Sequence, residues 1–227
     1  MSMEEPRGRA TYLRGDHVYE VARRFWLGRS SKEEQQFASV LLSTMAVESF
    51  VNDLVMSLWH AADGTHDRQL LSRFEILSEL DSRHLSLLAR IKVIHLLFGQ
   101  SYDEECDDHV RLKLLFDIRN QLAHLRPHSI ESGGEKPRIL TKTKGLLTDL
   151  KREGLVEKDL MQDPILDWYD VIQKERCARW AFLVATTAIR SMCNVLPDGA
   201  LATYFKETYL LRAVPPGIDL FEGLENE

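Results

Sequence analysis

Cysteine is scarce in this chain of 227 residues, and the three present, Cys106, Cys177 and Cys193, are an odd number with no CxxC spacing. That excludes a disulfide framework or a zinc knuckle and leaves buried or bystander thiols. No run of about 18 uncharged apolar residues occurs, the length a spanning helix needs. The opening Met1, Glu4, Glu5, Pro6 and Arg7 lack the apolar run of a secretory leader, so a cytoplasmic location without membrane attachment is expected. Positive charge is in deficit, with 29 Lys and Arg against 35 Asp and Glu for a net charge of −6. The overall field therefore draws the protein to neither nucleic acid nor an anionic membrane, and any such binding has to be local. Glycine-rich phosphate loops, a nucleophile elbow and paired-histidine zinc motifs are all missing. His60 with His66, and Asp107-Asp108-His109, lack a recurring ligand spacing. Neither a metal nor a cofactor is expected.

What is there belongs to a globular chain. An apolar share of 44% and a charged share of 28% fit neither a disordered nor a fibrous protein. At roughly 150 residues per domain the length suits one domain with additions, able to bury about 70% of its extended surface. Ser31 with Glu34 three residues on makes a capping box, and Phe37, Leu41, Met45, Val51, Val55 and Leu58 then recur at helical spacing to about His60. Further helices are predicted over 68–80, 82–98, from the Ser101-Tyr102-Asp103-Glu104 capping box to before Pro127, over 168–195 and over 198–211. Val110, Leu114, Ile118, Leu122 and Leu125 form the stripe of the fourth. Trp59, Trp168 and Trp180 sit in apolar patterns as core residues.

Residues 127–164 differ in character: Pro127, Gly133, Gly134, Pro137, Gly145, Gly154 and Pro164 break every pattern, with a short helix at Leu146 to Arg152. Glu135 to Lys158 holds seven basic against four acidic residues. It reads as an inserted surface excursion of mixed charge, without the interleaved aromatics of a base-stacking surface. Few stretches alternate with the period of strands and no repeat is apparent. The fold class is all-α, a bundle of about five main helices: an N-terminal extension over 1–29, one domain over 30–212 with the 127–164 insertion, and a flexible tail over 213–227.

Asp117-Ile118-Arg119-Asn120-Gln121-Leu122-Ala123-His124 is the most informative string. Spacing alone decides nothing, because Arg90 and His95 repeat the same separation inside an apolar helix, where both read as ordinary helix residues. Context separates the two. Asn120 and His124, four apart, share a helix face, Arg119 lies about 100° round from Asn120, and the helix ends shortly before Pro127. On the first helix, Glu48 and Asn52 fall within the stripe of Leu41, Met45, Val55 and Trp59. A carboxylate there needs a partner, since burying it alone costs several kcal/mol, and the fork of Arg119 is the natural one. Glu48, Asn52, Arg119 and Asn120 could equally form a buried polar clamp between two helices, with His124 merely near the surface.

The Asp117 to His124 string, preceded by a helix carrying Val47-Glu48-Ser49-Phe50-Val51-Asn52-Asp53-Leu54, resembles the HEPN domain, whose signature is Arg, a polar residue, a few more residues and then His. The likeness covers about 31–126, with 168–195 completing the bundle. It implies a HEPN-like helical homodimer whose two motifs face one another across a cleft. Many members are metal-independent ribonucleases of toxin-antitoxin, phage-defence and RNA-processing systems, while others are silent modules that bind a nucleotide or a protein. Carried onto this chain, Arg119, Asn120 and His124 would be catalytic, Glu48 and Asn52 would fix Arg119, and Arg126 and His128 would add RNA-binding charge. Single-stranded RNA is the expected substrate, and an antitoxin or other partner protein the expected regulator. Toxins of the family silenced by nucleotidylation carry tyrosine two residues after the histidine. Arg126 stands there in this chain, which puts that regulation in doubt.

Overall fold

In the computed structural model, the described residues are Arg23, 33–65, 68–82, 85–123, 130–131, 138–139, 144–156 and 168–211. They form an all-α bundle. Its helices are α1 (Glu33–Thr65), α2 (Arg68–Ser82), α3 (Leu87–Leu97), α4 (Asp107–Ala123), α5 (Lys144–Arg152), α6 (Trp168–Ile172), α7 (Glu175–Val195) and α8 (Ala200–Phe205). The last continues as a π-helical turn, Lys206–Leu211. One small antiparallel ladder pairs Ile130 with Ile139 and Glu131 with Arg138.

The bundle is organised around α1 and α7, which lie along one another, with α2 and α4 against α1 and with α4 also against α7. Val47, Phe50, Val51, Leu54 and Leu58 of α1 meet Cys177, Ala181, Phe182, Ala185, Ile189 and Met192 of α7 in a single core. Fully burying such side chains is worth about 1.5–3 kcal/mol each, and this burial fixes the long helix. Ala38–Leu58 is long and apolar enough by composition to cross a membrane, but 56% of it is buried inside the protein. Three of its polar residues are also bonded to three different elements: Glu48 to Arg119, Asn52 to Arg90 and Asp53 to Tyr209.

The helix ends follow local chemistry. Ser86 caps α3 through its Oγ, which accepts from the Ala89 N–H at 3.3 Å, so this helix opens five residues later than the periodicity of 82–98 indicates. Its far end closes with Gly99 at φ +78°, where Gln100 N–H donates to His95 O and Gly99 N–H to Leu96 O. The same double bond ends α5 at Gly154, φ +67°, with Leu155 N–H donating to Leu150 O and Gly154 N–H to Lys151 O. Glycine takes this left-handed position without the Cβ penalty that other residues meet.

Three expectations change. The Ser101 to Glu104 capping box does not start α4: Asp103 Oδ1 accepts from the Glu105 N–H at 2.9 Å in a local turn, and the helix begins at Asp107. The predicted helix over 168–195 is broken at Gln173–Lys174 into α6 and α7. Within the 127–164 segment, residues 144–156 are more than a surface excursion, because α5 and the turn after it bury Leu146, Leu150, Leu155 and Val156 in the common core. Arg111 Nε donates to Glu153 Oε2 at 2.9 Å beside it. Trp168 and Trp180 lie in the core as expected. The extension over 1–29 apart from Arg23, Ser31 and the tail over 213–227 lie outside the described residues, as do Leu125 and the side chains of Phe37, Glu34 and Trp59.

Candidate functional site

Helix α4 delivers Arg119 to α1. Leu114, Leu115, Ile118 and Leu122 bury its inner face, and that packing turns the position after Ile118 toward the edge of the α1 contact. There Arg119 Nη2 lies 2.8 Å from Glu48 Oε1, with 36% of the Arg119 side chain and 31% of the Glu48 side chain exposed. The pair expected from sequence forms, but at the rim of the interface and not within it. An ion pair so open to water contributes at most about 1 kcal/mol to stability.

Arg119 Nη1 also donates to Asn120 Oδ1 at 3.1 Å, on the exposed side of α4. A guanidinium carries five N–H donors in a fixed plane, so these two contacts hold the arginine while leaving further donors facing solvent. Asp117 points elsewhere. It lies close to Lys113 and Asp149, and partial burial raises its carboxyl above the ordinary range, opposed by Lys113. His124, Arg126 and His128 lie outside the described residues.

Asn52 does not fix Arg119. Its Oδ1 accepts instead from Arg90 Nη2 of α3, at 3.0 Å. The face of α1 carrying Met45, Asn52 and Met56 is exposed, so part of the stripe read from sequence as buried looks outward. The buried stripe runs through Val47, Phe50, Val51, Leu54 and Leu58.

Arg90 is the residue that sequence reasoning passed over. It is only 9% exposed and ties α3 to α1. The signal was present, because a guanidinium on the apolar helix LLARIKVIHLL needs a partner just as Glu48 does. His95, the other half of that pair, is also buried. Its Nδ1 faces Ile91 O at 2.9 Å and its Nε2 faces Ser191 Oγ of α7 at 3.0 Å. A carbonyl can only accept, so Nδ1 carries the proton and, in the neutral ring, Ser191 donates to Nε2.

His95 and Ser191 border a concavity of about 190 Å³ between α3, the 101–106 turn, α4 and α7. Tyr102 shares a hydrogen bond with His109 Nδ1 at 2.9 Å, and burial, with Cys106 and Glu104 adding to it, pushes its phenol up to about 12. The phenol is therefore neutral at physiological pH. His95 Nε2 thus joins α3 to α7 through Ser191, and His109 Nδ1 joins α4 to the 101–106 turn through Tyr102. Among the described residues no group of three or more His, Cys, Asp or Glu could hold a metal ion.

No family model, curated protein or solved structure matches the chain. The functional reading therefore rests on the motif and the geometry around it.

Proposed function

We propose that this protein is a HEPN-type, metal-independent endoribonuclease that cleaves single-stranded RNA as a homodimer, in a bacterial defence or toxin setting. The observation that carries this reading is the Glu48–Arg119 ion pair, 2.8 Å long across two helices, with Arg119 and its neighbour Asn120 open to solvent. A guanidinium anchored from behind by a carboxylate is pre-positioned to grip phosphate oxygens in a bidentate way.

In this reading the RNA 2′-OH attacks the adjacent phosphorus, forming a 2′-O–P bond and breaking the P–O5′ bond. His124 handles a proton, since imidazole titrates near neutrality and can take one from the 2′-OH or give one to the departing 5′ oxygen. A second His124 from the partner subunit supplies the complementary transfer. Arg119 neutralises the charge that builds on the phosphoryl oxygens, and Asn120 orients the phosphate. The products are a 2′,3′-cyclic phosphate and a 5′-hydroxyl, and DNA, which has no 2′-OH, is inert.

The experiment compares wild type, His124→Ala and Arg119→Ala on single-stranded RNA in EDTA. Cleavage by the wild type alone, leaving cyclic phosphate ends, is the expected result. Equal cleavage by all three would assign the activity to a contaminant. An intact RNA throughout would favour the second reading, a catalytically silent HEPN dimer that binds a nucleotide or a partner protein. One observation speaks for that alternative: both Nη atoms of Arg119 already have partners within the chain.

A further inference from the structure

An arginine can only donate hydrogen bonds, and this settles the orientation of two carboxamides on the surface around Glu48. Asn52 meets Arg90 and Asn120 meets Arg119, each through its side-chain oxygen. The NH₂ group of each amide is consequently turned away from its arginine. Both asparagines are exposed, and neither amide nitrogen has a partner among the described residues. Asn52 follows Glu48 by four residues on α1, so it lies on the same face one turn along, about 5–6 Å between Cβ atoms. Arg119 is tied to Glu48 itself. The surface thus carries hydrogen-bond donors from three side chains, Asn52, Arg119 and Asn120, around a carboxylate already occupied by Arg119.

A patch of donors whose central carboxylate, Glu48, is engaged by Arg119 suits a ligand made of acceptors. Phosphodiester oxygens are such acceptors, and an extended RNA strand offers them in series, which a single arginine cannot use. Bases would require acceptors as well as donors on the protein side, and the acceptor atoms of both amides are turned inward.

We infer that Asn52 forms a second phosphate subsite, its NH₂ group donating to a phosphate next to the one held by Arg119 and Asn120, with Arg90 as the positioning residue that fixes the amide. This rests on the ribonuclease reading of the same surface for the identity of the strand. It assigns Asn52 to the substrate, where the sequence had suggested a support for Arg119, and it gives Arg90 a function at the site.

Asn52→Asp tests it. The aspartate keeps an oxygen facing Arg90 and so keeps the cross-helix link, but replaces the outward donor by a charged acceptor. Met56→Asp, one turn further on the same exposed face, adds the same charge without touching the amide. Both changes are made in a His124→Ala background, and affinity for a fluorescein-labelled mixed-sequence single-stranded RNA is read by anisotropy, with a melting curve for each variant. The expected result is an affinity loss of about tenfold for Asn52→Asp, a much smaller loss for Met56→Asp, and a melting temperature for Asn52→Asp no lower than its parent's. Asn52→Asp binding as tightly as its parent, or losing no more than Met56→Asp, would overturn the subsite, as would a parent that does not bind the RNA. Cleavage by the His124-intact protein is scored separately. Active enzyme with unimpaired Asn52→Asp binding removes the subsite alone, while RNA binding without any cleavage removes the nuclease reading alone.

Discussion

Glu48 and Arg119, 71 positions apart in the chain, meet at 2.8 Å with about a third of each side chain still in water. The exposure separates two roles that a fully buried pair would merge. Glu48→Gln is expected to lower stability by less than about 1 kcal/mol, while RNA cleavage falls on the order of tenfold because Arg119 loses the group that aims it. Thermal melting and single-turnover cleavage of the same preparation check this. A large loss of stability with unchanged cleavage would make the pair a clamp and nothing more.

Leu150 lies fully buried in the core although it belongs to a segment that reads as an excursion. Leu150→Ala should cost about 2–5 kcal/mol, the usual range for a leucine removed from a packed interior. Chemical denaturation measures it directly. A change below about 0.5 kcal/mol, typical of surface positions, would detach α5 from the bundle.

Alkaline stability follows from three acids that the fold keeps protonated. Burial pushes the Cys177 and Cys193 thiols from 9.0 up to about 12, Lys206 working against it at Cys193, and Tyr102 rises from 10.0 to about 12. Between these values the unfolded chain has released protons that the folded chain retains, so stability falls as pH rises. It is fully present below pH 9 and is lost progressively toward pH 12. Melting temperatures taken across that window should decline, and Cys177→Ala should show a shallower decline than the wild type.

The same burial sets thiol reactivity. Cys106 is exposed, its Sγ lying 3.1 Å from Asp103 O, whereas Cys177 and Cys193 are buried. Ellman's reagent should modify one thiol rapidly in the native protein and the other two only on unfolding, because reaction needs an accessible thiolate. The rapid phase should vanish in Cys106→Ser.

The bundle was legible from apolar periodicity because most of its helices present one apolar face to a shared core, as Leu114, Ile118 and Leu122 do in α4. The Glu48–Arg119 pair was legible for an energetic reason, a carboxylate near an apolar stripe requiring a cation. Its neighbour Asn52 was assigned to the wrong arginine because periodicity gives the face of a helix but not which of two adjacent helices supplies the partner. Arg90 and Arg119 both donate to α1, one turn apart, and only the packing of α3 decides between them. The start of α4 was obscured by Asp103, whose side chain satisfies a backbone N–H in a turn as readily as it would cap a helix. The break at Gln173–Lys174 carries neither glycine nor proline, so no local signal announces it.

Three polar residues of α1 also constrain how the protein assembles its own register. Glu48, Asn52 and Asp53 are held by α4, α3 and the π-helical turn respectively. An apolar helix face can slide by a turn and still find leucines, but these links admit one axial position and one rotation. A residue inserted after Ser49 would carry Asn52 and Asp53 about 100° around the helix relative to Glu48, and no rigid movement of α1 would then restore all three. Three residues within two turns of one helix thereby index three other elements of the chain, so that the surface around Arg119 and the packing beneath it can only be set together.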